Sequence, residues 1–239
     1  MVGKKSGTPK YVDVYNKLLK NIIDGTYPEG SKLPTENELS EQLNVSRMTL
    51  RQSLLLLKED GFIETRQGSG NYVKSEKNIK ESHIIDSKSI SISNIIDREI
   101  KSIEYELEIL PSTEYIKKIF KVNKSVYIEV HGVFYDNDNK AVACSLNMIL
   151  TDIIEKYNID LNCIDEVKEF LETVADKNEF KRELEFKIVP NSQLAKRHNV
   201  KSEYSMYMLV VENIKDKENN IMLHNKYYVP AEIVNIVIN

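Results

Sequence analysis

"LPTENELSEQLNVSRMTLRQSLLLLKEDGFIETRQGSGNYV", Leu33 to Val73, decides how the first third of this chain folds. Thr35 stands three residues before Glu38, the spacing at which the two side chains cap each other's backbone at a helix start. A short helix is therefore predicted from Thr35. "NV" interrupts it, and Ser46 is placed to cap the helix that follows. Behind Ser46, Leu50, Leu54 and Leu57 recur at helical spacing and form one stripe to be buried. "EDG" stops that helix at Gly61. "FIETRQGSGNYV" then reads as two short strands that turn at Gly68 and Gly70.

Upstream, "YVDVYNKLLKNIIDG" sets Tyr11, Val14, Tyr15, Leu18, Leu19, Ile22 and Ile23 on one helical face, with Gly25 where a helix commonly ends. Pro28, Gly30 and Pro34 supply turn chemistry before Thr35. The order is helix, helix, tight turn, helix, β-hairpin, which is that of a winged helix-turn-helix. In such a module the third helix enters the DNA major groove, led by its N-terminal residues. Ser46, Arg47, Met48, Thr49 and Arg51 occupy that leading turn and a half. Arg47 and Arg51, four apart, share a face distinct from the leucine stripe. Arginine there either pairs bidentately with guanine or neutralises a phosphate. The bland reading is a solvated helix end. Yet cations near a helix N-terminus are mildly unfavourable, and a polyanion gives them a reason to be there.

This segment closely resembles the DNA-binding domain of the GntR family of bacterial transcription regulators, over roughly residues 9–74. The resemblance rests on "GSKLP", "VSRMTLRQ" and "RQGSGNYV". It implies that Arg47, Thr49 and Arg51 contact an operator and that Gly68, at the wing tip, enters the minor groove. Thr35, Ser46, Met48, Arg66, Gln67, Ser69 and Gly70 complete the expected DNA-facing set. Family members often have a base-reading arginine where this chain has Asn37, which still offers hydrogen bonds to bases or phosphates.

The remainder differs in character. The 239 residues carry a net charge of −4, divided as +2 over residues 1–75 and −6 over 76–239. A mildly basic head on an acidic body fits a polyanion partner for the head. Residues 76–94, within the polar and serine-rich Lys74–Asn94, read as a linker, with Ile90 and Ile92 alternating as in a short strand. In the body, residues 95–239, Ile103, Tyr105, Leu107 and Ile109 alternate as in a strand. Two similar hairpins follow, turning at residues 136–140 and 216–220, with helical periods at "TDIIEKYNI" and "IDEVKEFLETVA" between them. "KRELEFKIVP" reads as a strand and "NSQLAKRHNV" as a short helix. Without strict βαβ alternation the expectation is an α+β body, an antiparallel sheet with helices packed on it.

The body resembles the UTRA effector-sensing domain of the HutC subgroup, over about residues 90–237, through hairpin order and spacing. That resemblance implies a chorismate-lyase-like fold, a small-molecule effector site on the sheet and a homodimer. Sugar-phosphate-binding members often carry Arg-x-Arg on the first hairpin. Here those positions are His131 and Val133, and a frequent glutamate aligns near Ser145. Without the two guanidinium forks a phosphate is less well served. Glu129 and His131, alternating onto one strand face, are candidates for holding a neutral or cationic metabolite, with Ser145, His224 and Tyr228 beside them; a solvated face is the alternative. His83 and His198 sit in polar context and read as surface residues.

There is no G-x-S-x-G, H-E-x-x-H or Walker-type glycine loop, and the two cysteines and four histidines are scattered. An enzyme, a metal centre and a cofactor are therefore not expected, although the implied fold is shared with a lyase. No run of about 18 apolar residues suggests a membrane span, and Cys144 and Cys163 lack disulfide or zinc spacing, which fits a reducing cytoplasm. The expectation is a cytoplasmic regulator, more a repressor than an activator, binding two-fold-symmetric operator DNA under the control of a small effector. A ligand-independent DNA-architectural protein is the alternative, and after it an enzyme of chorismate-lyase-like fold.

Overall fold

In the computed structural model, residues 9–74, 92, 95–174 and 180–236 are described. Most of the expected linker, including Ile90 and His83, lies outside them. The chain divides into two compact units: Met1–Glu81 with Thr113–Tyr115, and Ser82–Ser112 with Ile116–Asn239.

In the head, α1 spans Lys10–Ile23, α2 Glu36–Gln42 and α3 Arg47–Glu59, followed by β1, Ile63–Arg66, and β2, Gly70–Val73. The helix starts are those read from the sequence. Thr35 accepts from the Glu38 backbone while the Glu38 carboxylate accepts from the Thr35 N–H at 2.7 Å. Ser46 accepts from the Thr49 N–H at 3.1 Å. Leu50, Leu54 and Leu57 of α3 are buried, as are Val14, Tyr15, Leu18 and Leu19 of α1. Each such side chain contributes about 1.5–3 kcal/mol by leaving water. Ile23, read as part of the α1 stripe, is exposed, because that stripe stops one turn short of the helix end. A polar pin supplements the apolar contact: Ser53 Oγ, fully buried on α3, donates to the Tyr11 carbonyl at 2.6 Å. The wing turns at Gly68, whose φ of +72° a side chain would strain. The segment before α2 borders β2, with Gly30 N–H donating to Val73 O at 3.0 Å and Leu33 N–H to Asn71 O at 2.9 Å.

The second unit is built on a six-stranded antiparallel sheet. Its strands are β3, Ser102–Pro111; β4, Val126–Tyr135; β5, Ala141–Leu150; β6, Lys181–Pro190; β7, Met206–Lys215; and β8, Ile221–Pro230. Helices α4, Glu114–Phe120, α5, Thr151–Tyr157, α6, Ile164–Thr173, and α7, Gln193–Arg197, occupy the connections. The sheet order β3-β4-β5-β8-β7-β6 is that of a duplication. The run β3-α4-β4-β5 is repeated as β6-α7-β7-β8, with β4/β7 and β5/β8 each offset by 80 residues, and the two copies join at β5 and β8. Even the turns agree. Asp136 Oδ1 accepts from the Asp138 and Lys140 N–H groups, and Asp216 Oδ1 from those of Glu218 and Asn220. The fourth turn residue, Asn139 or Asn219, has positive φ in both. The alternation expected on β3 slips at its end: Ile109 is exposed, because β3 is an edge strand and its last turn of pleat has no cover.

Gly132 of β4 leaves no room for a side chain. A Cβ there would lie 2.5 Å from Ser145 Oγ and 2.9 Å from the Tyr105 ring. Gly132→Ala is expected to destabilise the protein by about 1–3 kcal/mol through overpacking. A urea unfolding midpoint equal to that of the parent protein would contradict this.

Candidate nucleic-acid interface and ligand-facing sheet

Helix α3 and the wing enclose an open cleft of about 630 Å³. Lys32, Arg51, Lys58 and Arg66 line it, against the single carboxylate of Glu36. Such a cleft, cationic and flanked by a helix and a hairpin, matches a phosphate ridge with a groove on either side. The expected DNA-facing residues converge on it or on the adjoining end of α3. Thr35, Arg51, Arg66, Gln67, Gly68, Ser69 and Gly70 line the cleft itself. Ser46 and Thr49 line a second concavity beside the turn between α2 and α3, together with Lys10 and Asn44. Asn37 and Arg47 are exposed. Met48 is 65% exposed, an apolar group held out in water at the tip of α3, where a thymine methyl would be an apt neighbour.

The side chains are also oriented. Glu36 holds Arg51 through its Nε at 2.7 Å, a contact between α2 and α3 that steers the guanidinium. Sequence spacing could not reveal it, since the partners lie 15 residues apart on different helices. On the wing, the Arg66 guanidinium lies 4.0 Å from the Tyr72 ring centroid and meets Glu64 at 2.8 Å. The Tyr72 hydroxyl lies 2.7 Å from Ser69 Oγ. No motif or spacing in the sequence marks Tyr72, Glu36, Lys32 or Lys58, which reach the cleft or its arginines only through the fold.

In the sheet, register sorts the candidate effector residues. Glu129 pairs through Met148 with His224; His131 pairs through Leu146 with Lys226; Val133 pairs through Cys144 with Tyr228. These rows share one face. Ser145 pairs with Gly132 and Tyr227 and so lies on the opposite face, away from the other four candidates. The strand period of two forces this separation.

His131 is 3% exposed, which removes the solvated alternative. It is the centre of a chain: Tyr127 OH donates to Glu129 Oε2 at 2.6 Å, Glu129 Oε1 lies 2.8 Å from His131 Nε2, and His131 Nδ1 lies 3.2 Å from His198 Nε2. His198, read as a surface residue, is therefore half-buried at the end of α7, which packs Ala195 against Tyr228, Cys144 and Leu209. Burial pushes Glu129 up, but the His131 hydrogen bond and charge, with Tyr127 and Arg197, hold its carboxyl below the usual range. Burial, with the charges of His131 and Arg197, lowers His198 to about 4. Burial, with Lys226 and Lys187 nearby, holds His224 well below its ordinary value; its Nδ1 lies 2.6 Å from Asn213 Oδ1. Among the described residues no three His, Cys, Asp or Glu side chains are grouped so as to hold a metal ion, and no helix is long and apolar enough to cross a membrane.

The depressed imidazoles give a signed pH dependence. Below about pH 6.5 the unfolded chain binds more protons than the folded one, so stability present above that pH is lost as pH falls towards about 4. The urea midpoint is expected to drop across this window, and His198→Asn to flatten the profile. A flat profile in the parent protein would contradict the assignment.

Comparison with known proteins bears mainly on the head. Residues 10–73 match the family described as "Bacterial regulatory proteins, gntR family". The HTH-type transcriptional regulator YurK of Bacillus subtilis, itself uncharacterized, is 31% identical over 139 residues, 58% of this chain and 57% of its own. A probable fructoselysine utilization operon transcriptional repressor of Shigella flexneri is 28% identical over 141 residues, 53% of this chain and 55% of its own. The chain thus spans a little over half the length of these relatives. The solved YydK protein of Bacillus subtilis aligns over 97% of this chain and 99% of its own at 16% identity, with a TM-score of 0.47. The likeness to the gntR family of bacterial regulatory proteins thus lies in residues 10–73, the head of this chain.

Proposed function

We infer that this chain is a cytoplasmic transcription regulator, acting as a homodimer on two-fold-symmetric operator DNA, with operator affinity set by a small molecule bound in the body. The observation that carries the DNA-binding half is the cationic cleft between α3 and the wing, four cations to one carboxylate. Helix α3 reads bases from its first turns, Arg47, Thr49 and Arg51 foremost. The wing, stiffened by Arg66 on Tyr72, follows the backbone into the adjoining minor groove. Relatives named as transcriptional regulator and repressor support the same reading, and repression is the mode it favours.

The body supplies control. A sheet that buries His131, His224, Lys226, Asn225 and Glu212 departs from the apolar faces a purely structural sheet would bury. Effector and operator then oppose each other by one coupling energy, because each prefers a different arrangement of the dimer. Dimerisation belongs to the body, so two tethered heads gain through effective concentration.

Selection of bound DNA from a random library, followed by gel-shift titration, tests the reading. Arg51→Ala is expected to weaken the selected site by about 1–3 kcal/mol and relax base preference at one position per half-site. Glu36→Gln, which frees the guanidinium from its carboxylate, is expected to move the same base preference with a smaller loss. A residues 1–75 fragment is expected to bind more weakly than the full chain. Failure to enrich any sequence, or equal affinity of fragment and full chain, would overturn the respective claim.

A further inference from the structure

Met48 is the most exposed large hydrophobic side chain of the head among the described residues, 65% open to water against 44% for Ile23. It sits in the first turn of α3, where Asn44, Ser46, Arg47 and Arg51 are exposed as well. At about 3.6 residues per turn it lies opposite the midpoint of the buried positions Leu50, Ser53, Leu54 and Leu57, and so projects away from the core of the head. Around the helix it stands between Thr49, which lines the concavity shared with Lys10 and Asn44, and Arg51, which lines the cationic cleft. Met48 thus tops a ridge between two hollows.

Stability gives no account of this side chain. An apolar group held in water gains nothing from burial, and methionine is no better a helix former than lysine, glutamine or glutamate. A lone exposed hydrophobe is ordinary on a protein surface; its place, on the leading turn of α3 beside a cationic cleft, makes this one informative. Its chemistry is narrow. The thioether has no donor and is a weak acceptor, so it takes no part in the donor–acceptor code of base edges. Covering a hydrogen-bonding edge of adenine, guanine or cytosine with it would strip water from groups that gain no partner. The C5 methyl of thymine is the apolar group that a base edge presents in the major groove. Flexible and polarisable, methionine moulds to such a group. Thr49 also carries a methyl, but it is partly buried and its hydroxyl lies 2.9 Å from Ser46 Oγ.

We propose that Met48 is a methyl reader: its side chain packs on the C5 methyl of one pyrimidine in each half-site and so selects thymine there. The proposal rests on the regulator reading above and names a chemical group on the DNA that the head recognises. What Met48 senses is the methyl, not the hydrogen-bonding groups of the base. 5-Methylcytosine offers the same contact, so methylation of a cytosine at that position strengthens binding.

The test uses the full chain and the operator selected from the random library. Each thymine of a half-site is replaced in turn by deoxyuridine, which removes the methyl and nothing else, and affinity is measured by gel-shift titration at fixed salt. One position per half-site is expected to lose about fourfold in affinity, the equivalent of about 0.8 kcal/mol for one buried methyl-sized group. Met48→Ala is expected to bind the thymine and deoxyuridine operators alike. Thr49→Ser, which removes the neighbouring methyl and keeps the hydroxyl, is expected to retain the difference. Cytosine at that position is expected to bind more weakly than 5-methylcytosine in the parent protein, and equally in Met48→Ala. Because Met48 is exposed and alanine favours a helix, Met48→Ala is expected to keep the Tm of the parent protein. The proposal is overturned if no deoxyuridine substitution weakens binding, if the loss persists undiminished in Met48→Ala, or if it vanishes in Thr49→Ser. An enriched operator indifferent to every thymine methyl counts against Met48 alone. Failure to enrich any operator counts against the regulator reading.

Discussion

The ladder between β5 and β8 is the constraint on which the body depends. Each copy of the repeat is a three-stranded antiparallel unit, and the unit boundary is the Cys144–Tyr228 to Ile149–Leu223 register. A slip of one residue along this seam would exchange the faces of every strand on one side. Ser145 and Asn147 would then leave Tyr227 and Asn225, and the row that carries His131 would lose its alignment with Lys226. Both polar systems of the sheet, one on each face, are therefore set by the same six backbone pairings.

The head is governed by a similar economy of orientation. Helix α3 carries Arg47 and Arg51 near its N-terminus, where its own dipole disfavours cations. Here the carboxylate of Glu36, on the preceding helix, compensates one of them and fixes its direction. The wing does the same with Tyr72 and Glu64 around Arg66. Side chains restrained before any partner arrives lose less rotamer entropy on binding than free ones.

What the sequence made legible was local. Caps at Thr35 and Ser46, the leucine stripe of α3, the glycine of the wing and both hairpin turns depend on residues a few positions apart, and they are where spacing and turn chemistry place them. What it left obscure was pairing across distance. Nothing in the neighbourhood of Ser145 announces that it lies on the opposite strand face from Glu129 and His131; the hairpin register does. His198 looked solvated among Lys196, Arg197 and Asn199, yet α7 delivers it to His131, 67 residues away. Glu212 and Asn225 are equally unmarked, since each is an ordinary polar residue within an apolar strand until its partners are known.

The duplication has a further consequence at the seam. At the 80-residue offset, Ser145 is the counterpart of Asn225, and Asn147 that of Tyr227. The backbone there has an approximate two-fold axis, so anything lying across it meets the same shape in either of two opposite orientations. Only the side chains tell the orientations apart: hydroxyl against amide, amide against phenol. Only the end-to-end sense of such a molecule is left to the four divergent side chains, since a two-fold frame of L-residues is still chiral.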